Sequence, residues 1–138
     1  MEKVKVLIKE PYKEPYVKEV DDTLKSFQDI VSGYIEYVPY TIDTGITMFC
    51  NDSGLIENLD GNLWLAGTDE CIVGTCYFIG YNEETGDNLS LTDEQINKVK
   101  DYIDKYQIPI GYDLYVDYSK LRKKMYETYR KQTKEMEM

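Results

Sequence analysis

The sequence predicts an α+β fold: a mainly antiparallel sheet of about five strands packed by two helices, plus a C-terminal basic helix. Three observations support this prediction. The N-terminal segment alternates apolar and charged residues around a proline-bracketed turn, which is typical of a hairpin. Two segments combine a capping residue with apolar residues at helical spacing. One long apolar run has the composition of a central strand.

The length of 138 residues fits one domain with a substantial core. No internal repeat and no low-complexity linker divides the chain. We therefore predict an α+β domain over residues 1–106 and a helical extension over residues 107–138.

The first predicted element is a strand in which Val4, Val6 and Ile8 point to one face while lysines occupy the other. Leu7 is the apolar exception on the lysine face, so burial on both sides is expected there. Two prolines bracket the turn that follows, and residues 16–20 are predicted to return as the second strand.

A helix should follow, with Asp22 or Thr23 as its N-cap and Gly33 at its C-terminal end. The residues expected on its apolar face are Leu24, Phe27, Ile30 and Val31.

Two further strands are predicted at 34–40 and 42–51. The irregular apolar spacing at 55–68 indicates a loop with one short helical turn. The most apolar run, 71–81, is predicted to be a single central strand, in which Gly74 marks a bulge or a close backbone approach.

The last two predicted elements are helices. Thr92 and Gln95 form the pattern of a capping box before a helix from Asp93 to about Tyr106. The residues expected on its inner face are Ile96, Val99, Ile103 and Tyr106. Residues 119–134 are predicted to form the basic C-terminal helix.

The most unusual feature of the sequence is its charge distribution. The net charge is −10, yet residues 26–97 contain thirteen acidic residues and no lysine or arginine. Residues 119–138 reverse the sign, with seven bases against three acids. Ordinary surfaces intersperse both signs, and a field of one sign repels polyanions and attracts basic partners. The plain alternative is a solvated surface that aids solubility.

Little in the sequence indicates catalysis. The chain has no histidine, the commonest general base, and no glycine-rich phosphate-binding motif. The best cluster for a cation is Asn51, Asp52, Asp60 and Asn62, although turn chemistry explains these residues better. We predict a protein that is not an enzyme, with no cofactor and no metal.

The three cysteines, Cys50, Cys71 and Cys76, are predicted to be reduced and mostly buried thiols. No apolar stretch approaches the roughly 20 residues of a transmembrane helix, so no membrane association is expected. The charged N-terminus lacks the apolar region of a signal peptide. A cytoplasmic protein is therefore expected.

Several segments resemble a family of domains of unknown function, numbered three-eight-four-six, from bacteriophages and integrative elements of low-GC Gram-positive bacteria. The resemblance covers about residues 3–100. Its more specific parts are Glu10 with Pro11, residues 33–36 and residues 51–55. The family has no assigned activity, so the resemblance implies context, an accessory gene of a mobile element, and no catalytic residues. Small acidic phage proteins often disable host defence.

The leading hypothesis is a non-enzymatic inhibitor of a host defence system, of the anti-CRISPR type. It would bind a basic, nucleic-acid-binding surface of a host nuclease or defence complex through an acidic face with tyrosine anchors. The residues predicted to form that face are Asp29, Glu36, Tyr37, Tyr40, Asp43, Asp52, Glu57, Asp60, Tyr81, Glu83, Glu84 and Asp87.

The alternative hypothesis is a sponge or binder of a small nucleotide signal, but this needs cations that the middle of the chain lacks. Direct nucleic-acid binding through the basic C-terminal helix is opposed by the acidic body, so none is expected. That helix could instead dock on the acidic face of a second copy and form a homodimer.

Overall fold

The computed structural model describes residues 2–39, 42–54, 57–110 and 112. These residues form eight strands and two helices. The strands are β1 (Lys3–Lys9), β2 (Tyr16–Asp21), β3 (Ile35–Val38), β4 (Ile46–Asn51), β5 (Gly61–Trp64), β6 (Cys71–Val73), β7 (Cys76–Tyr81) and β8 (Asn88–Leu89). The helices are α1 (Leu24–Val31) and α2 (Asp93–Tyr106). The predicted C-terminal basic helix lies outside the described residues.

The main sheet has the strand order β2-β1-β7-β4-β3, and β8 pairs with the end of β7. Every pairing in it is antiparallel. A second, two-stranded antiparallel sheet consists of β5 and β6. The α+β class and the antiparallel sheet are confirmed, whereas the prediction of about five strands is too low for the part of the chain that the structure describes.

Two differences explain two of the three extra strands, and the third is the two-residue strand β8, which pairs with β7. Residues 61–64, predicted as loop, form β5 because they pair with β6. The run 71–81 is two strands in different sheets, because Gly74 turns the backbone with a φ of +75°. A Cβ atom at Gly74 would lie 2.6 Å from Leu59 Cδ1, so this position also requires the close approach that glycine permits.

The two faces of the main sheet are covered by different elements. Val4, Val6 and Ile8 pack with Phe27 and Val31 of α1 in one apolar cluster. The opposite face packs against α2 and the β5–β6 hairpin through a second cluster. Leu7 belongs to that second cluster and is fully buried, which confirms its predicted burial on the lysine face.

Helix α1 begins as predicted but ends differently. The Thr23 side chain accepts the Ser26 N–H at 3.2 Å and caps the N-terminus. At the other end Ser32, not Gly33, adopts the left-handed conformation, with a φ of 60°. Gly33 is needed for space instead, since a Cβ there would lie 2.6 Å from Asn51 Nδ2. Leu24, predicted on the apolar face, is 59% exposed.

Helix α2 has the predicted capping box between Thr92 and Gln95. Its buried residues are Ile96, Val99 and Ile103, whereas Tyr106 is only half-buried. The packed unit continues beyond the predicted boundary at residue 106. Ile108 is fully buried and its N–H donates to the Asn62 carbonyl at 2.9 Å. Neither helix of the described residues is long and apolar enough to cross a membrane.

Candidate functional site

The carboxyl end of β4 brings acidic side chains from three parts of the chain together. Asn51 lies at that end, where its Nδ2 donates to the Val31 carbonyl at 3.1 Å and its Oδ1 accepts the Ser53 N–H at 2.7 Å. This buried amide therefore ties the end of α1 to the turn after β4. A groove beside it is lined by Asp29, Asp52 and Glu57.

A second groove continues from the first, because Asn51 and Asp52 line both. It lies between β3 and the β5–β6 hairpin, and its other acidic side chains are Glu36 and Glu70. Among the residues that the structure describes, no lysine or arginine lines either groove. We call the five carboxylates of the two grooves, all of them exposed, the acidic edge: Asp29, Glu36, Asp52, Glu57 and Glu70.

Two tyrosines stand beside the acidic edge. Tyr34 is 72% exposed and lines the first groove, while Tyr37 is 55% exposed and lines the second. The Tyr37 ring contacts Phe49 edge-to-face, with 5.9 Å between ring centroids. A neighbouring aromatic ring limits the positions that Tyr37 can adopt, so less conformational entropy is lost when a partner packs on it.

Only one member of the acidic edge has a described ion pair. Asp29 lies 3.2 Å from Lys25, one turn earlier on α1, and both side chains are highly exposed. Pairs of this kind contribute little, about 0.3–0.5 kcal/mol. The described residues therefore neutralise little of the negative charge of the acidic edge.

The other predicted contact residues lie elsewhere. Glu83, Glu84 and Asp87 are exposed in the turn between β7 and β8. Gly80, just before that turn, pairs with Ile46 at the start of β4, whereas the acidic edge lies at the end of β4. Six residues of extended strand span about 20 Å. Seven of the nine predicted acidic residues thus form two separate groups at opposite ends of the sheet.

The remaining predicted residues are dispersed. The Asp43 carboxylate accepts a hydrogen bond from Lys98 of α2 and another from the Thr44 N–H. These two hydrogen bonds hold the pKa of the Asp43 carboxyl below its ordinary value. Tyr81 is half-buried at the end of β7, and Asp60 is exposed just before β5. Tyr40 lies outside the described residues.

Tyr34 and Glu70 were not among the predicted contact residues. Glu70 was recognisable as a member of the base-free tract, but its position depends on the β5–β6 hairpin, which was not predicted. Tyr34 follows Gly33 directly, and nothing in the local sequence distinguishes an exposed tyrosine from a buried one.

The two asparagines considered for a cation site form structural hydrogen bonds. Asn62 is fully buried, and its Nδ2 donates to the carbonyls of Lys9 and Gly74, both at 2.8 Å. Asn51 closes the turn described above, as turn chemistry predicts. Among the described residues, no group of three or more histidine, cysteine, aspartate or glutamate side chains could hold a metal ion.

All three cysteines are free thiols. Cys50 and Cys76 are buried, which confirms the prediction for these two, whereas Cys71 is half-buried. Burial raises the pKa of Cys50 to about 12 and that of Cys71 to about 11, with Glu36 and Glu70 respectively adding to the effect. Burial also raises the pKa of Cys76. Thiols in this state are poor nucleophiles at neutral pH.

These raised pKa values predict alkaline instability. Thiols of the unfolded chain ionise near pH 9, while those of the folded chain remain protonated, so ionisation favours unfolding. This contribution to stability is complete below about pH 9 and is lost as the pH rises toward 12. The raised pKa of Tyr77 acts in the same direction, and the lowered pKa of buried Lys9 opposes it.

We therefore expect the free energy of unfolding to fall by a few kcal/mol between about pH 8 and about pH 11, measured by urea titration. The variant Cys50→Ala should show a shallower decline. A free energy of unfolding that stays constant or rises over this range would contradict the expectation.

The comparison with known families gives one result. A family model described as "Domain of unknown function (DUF3846)" matches residues 4–107. No curated protein and no solved structure matches the chain. The matched region begins in β1 and ends just after α2, so it spans the main sheet, the β5–β6 hairpin and both helices. The chain therefore belongs to the DUF3846 family of domains of unknown function.

Proposed function

We propose that this protein is a non-catalytic binding protein of a mobile element that inhibits a host defence system. Its acidic edge would occupy the basic surface with which a nuclease or defence complex, such as a CRISPR effector, holds nucleic acid. One observation carries the proposal: five exposed carboxylates border two contiguous grooves, and no lysine or arginine of the described part of the chain lines them. The phage and mobile-element context implied by the family resemblance suits this role.

The chemistry of such a site follows from charge-assisted hydrogen bonds. Lysine and arginine side chains that contact phosphates also bind carboxylates, and arginine can do so with two parallel hydrogen bonds. The five carboxylates present several hydrogen-bond acceptors on one side of the molecule. They come from α1, β3, the turn after β4 and the residue before β6. A basic surface that binds them is no longer available to DNA or RNA.

The exposed tyrosines complement these carboxylates. Tyr34 and Tyr37 supply apolar area with a hydroxyl group, and tyrosine is enriched among residues that dominate binding energy at protein interfaces. The alternative of a nucleotide binder gains no support from this site, because phosphates require cations or amide donors, and the described lining of the grooves includes no cationic side chain.

Neutralising the acidic edge tests the proposal. The triple variant Glu36→Gln, Asp52→Asn, Glu57→Gln keeps side-chain size and removes three charges. We expect it to weaken binding of a basic host protein captured from a lysate by about 10- to 100-fold, at up to about 1 kcal/mol per ion pair. Binding is measured by calorimetry, and nucleic acid should compete with the wild-type protein for the captured partner.

The matched control is the triple variant Glu83→Gln, Glu84→Gln, Asp87→Asn, which removes the same charge at the opposite end of the sheet. Its affinity should stay within about 3-fold of wild type. Equal weakening by both triples would mean that only net charge matters. A captured partner that binds nucleic acid and this protein simultaneously would also contradict the proposal.

A further inference from the structure

Within the described ranges, strand β3 forms an edge of the main sheet, with β4 on one side only. Its pairing shows which backbone groups point outward. The Asp52 N–H donates to the Tyr34 carbonyl at 3.1 Å, and the antiparallel register continues from this pair to Glu36 with Cys50. Since hydrogen-bonded pairs alternate along antiparallel strands, the N–H and C=O groups of Ile35 and Tyr37 point away from β4.

These outward groups have no backbone partner among the described residues. An exposed strand edge of this kind is a template on which an extended segment can form backbone hydrogen bonds. The other edge of the sheet, β2, differs in charge: it carries Lys18 beside Glu19, and Asp21 is paired with Lys3 at 2.6 Å. Edge β3 carries Glu36 and no base.

The charges around β3 specify the kind of segment that fits. Glu36 pairs with Cys50 and lines the second groove together with Asp52 and Glu70. Tyr37, the next residue, borders the same groove, but its ring points to the opposite face of the strand, where it meets Phe49. A strand added beside β3 would therefore have one set of alternate side chains over carboxylates and the other set beside a tyrosine ring.

We propose that β3 binds an extended segment of a partner protein in which lysine or arginine alternates with apolar residues. The backbone of this segment pairs with Ile35 and Tyr37, and its cations bind the carboxylates of the second groove. Pairing with β3 of a second copy is disfavoured, because it would bring the two Glu36 carboxylates close together. The inference rests on the proposed function and adds the mode of binding.

The probe is a short synthetic peptide that alternates arginine with valine, added to the full chain and followed by amide hydrogen exchange and calorimetry. We expect the Ile35 and Tyr37 amides to become protected. A peptide N-methylated on the residues that pair with β3 should bind at least about 10-fold more weakly, whereas N-methylation of the intervening residues should have little effect. Equal affinity of both methylated peptides would overturn the proposal.

Protein variants give an independent test. Tyr37→Pro removes an outward N–H without removing a bond to β4, and Tyr37→Ala removes only the ring. Tyr37→Pro should bind the peptide at least about 10-fold more weakly than Tyr37→Ala. Val17→Pro is the control on the other edge: the Asp22 N–H donates to the Glu2 carbonyl, which places the Val17 N–H outward on β2 by the same alternation. The Val17→Pro variant should bind the peptide as tightly as the wild-type protein does.

The outcomes separate this inference from the proposed function. If neutralising the acidic edge weakens binding of the captured host protein but Tyr37→Pro binds that protein no more weakly than Tyr37→Ala, the proposed function stands and strand pairing is overturned. If neither change has an effect, both are overturned. Protection of the Ile35 and Tyr37 amides before any peptide is added would show that the chain itself or a second copy occupies the edge, which also overturns the inference.

Discussion

Replacing Asn62 with alanine should destabilise the fold by about 4 kcal/mol. The Asn62 side chain lies fully buried between β1 and the turn that separates β6 from β7. Its amide donates two hydrogen bonds of 2.8 Å, to the carbonyls of Lys9 and Gly74. Alanine would leave the buried Gly74 carbonyl without this donor, at about 1–3 kcal/mol, while the Lys9 carbonyl keeps its strand pairing with Cys76, and it would open a cavity that costs a similar amount.

Equilibrium urea unfolding measures this loss, and two further variants define its cause. Asn62→Leu restores volume without a donor, so it should remain destabilised by at least about 2 kcal/mol. Asn97→Ala makes the same substitution at an exposed position of α2 and should change stability by less than about 0.5 kcal/mol. Wild-type stability of Asn62→Leu would show that packing, and not hydrogen bonding, is the role of Asn62.

Replacing Tyr77 with alanine should cost a similar amount, about 4 kcal/mol. The Tyr77 ring is 1% exposed and stacks between Phe27 of α1 and Phe49 of β4, with centroid distances of 5.3 Å to each. These contacts attach α1 to the sheet. Removing a buried aromatic ring typically costs about 3–5 kcal/mol, because the surrounding side chains cannot fill the cavity.

Two control variants are compared with Tyr77→Ala in thermal and urea unfolding. Tyr77→Phe keeps the stack and should lose less than about 1.5 kcal/mol. Tyr34→Ala removes a 72% exposed ring and should change stability by less than about 0.5 kcal/mol. If Tyr77→Ala were as stable as Tyr34→Ala, the stack would not be what holds α1 on the sheet.

Local signals in the sequence predicted the fold well where they act within a few residues. The Thr92 and Gln95 capping box depends only on side chains three positions apart, and the predicted helix is present with its bounds. The alternation in β1 likewise reflects burial on one face of a single strand. Such signals need no knowledge of distant partners.

Predictions failed where pairing is long-range. Residues 61–64 have no regular alternation and become β5 through their pairing with β6. The apolar run 71–81 was predicted as one strand because burial makes both of its parts hydrophobic, and periodicity does not show which sheet each part joins. Gly74 indicated irregularity there, but not a change of sheet.

The candidate site was predictable in composition but not in arrangement. The absence of bases between Lys25 and Lys98 guarantees acidic surfaces wherever this tract is exposed. The sheet topology decides that Asp52 and Glu36 lie together while Glu83 lies about 20 Å away. Strand order cannot be read from charge, so one continuous face was expected where the structure has two groups.

The salt dependence of partner binding is the sharpest test of whether the acidic edge recognises a basic protein surface. For a partner that binds the acidic edge through lysine and arginine, affinity measured by calorimetry should fall at least about 10-fold between about 50 mM and about 200 mM NaCl. The decline should be clearly shallower for the Glu36→Gln, Asp52→Asn, Glu57→Gln variant. An affinity that is the same at both salt concentrations, or an equally steep decline for that variant, would contradict recognition of a basic surface by these carboxylates.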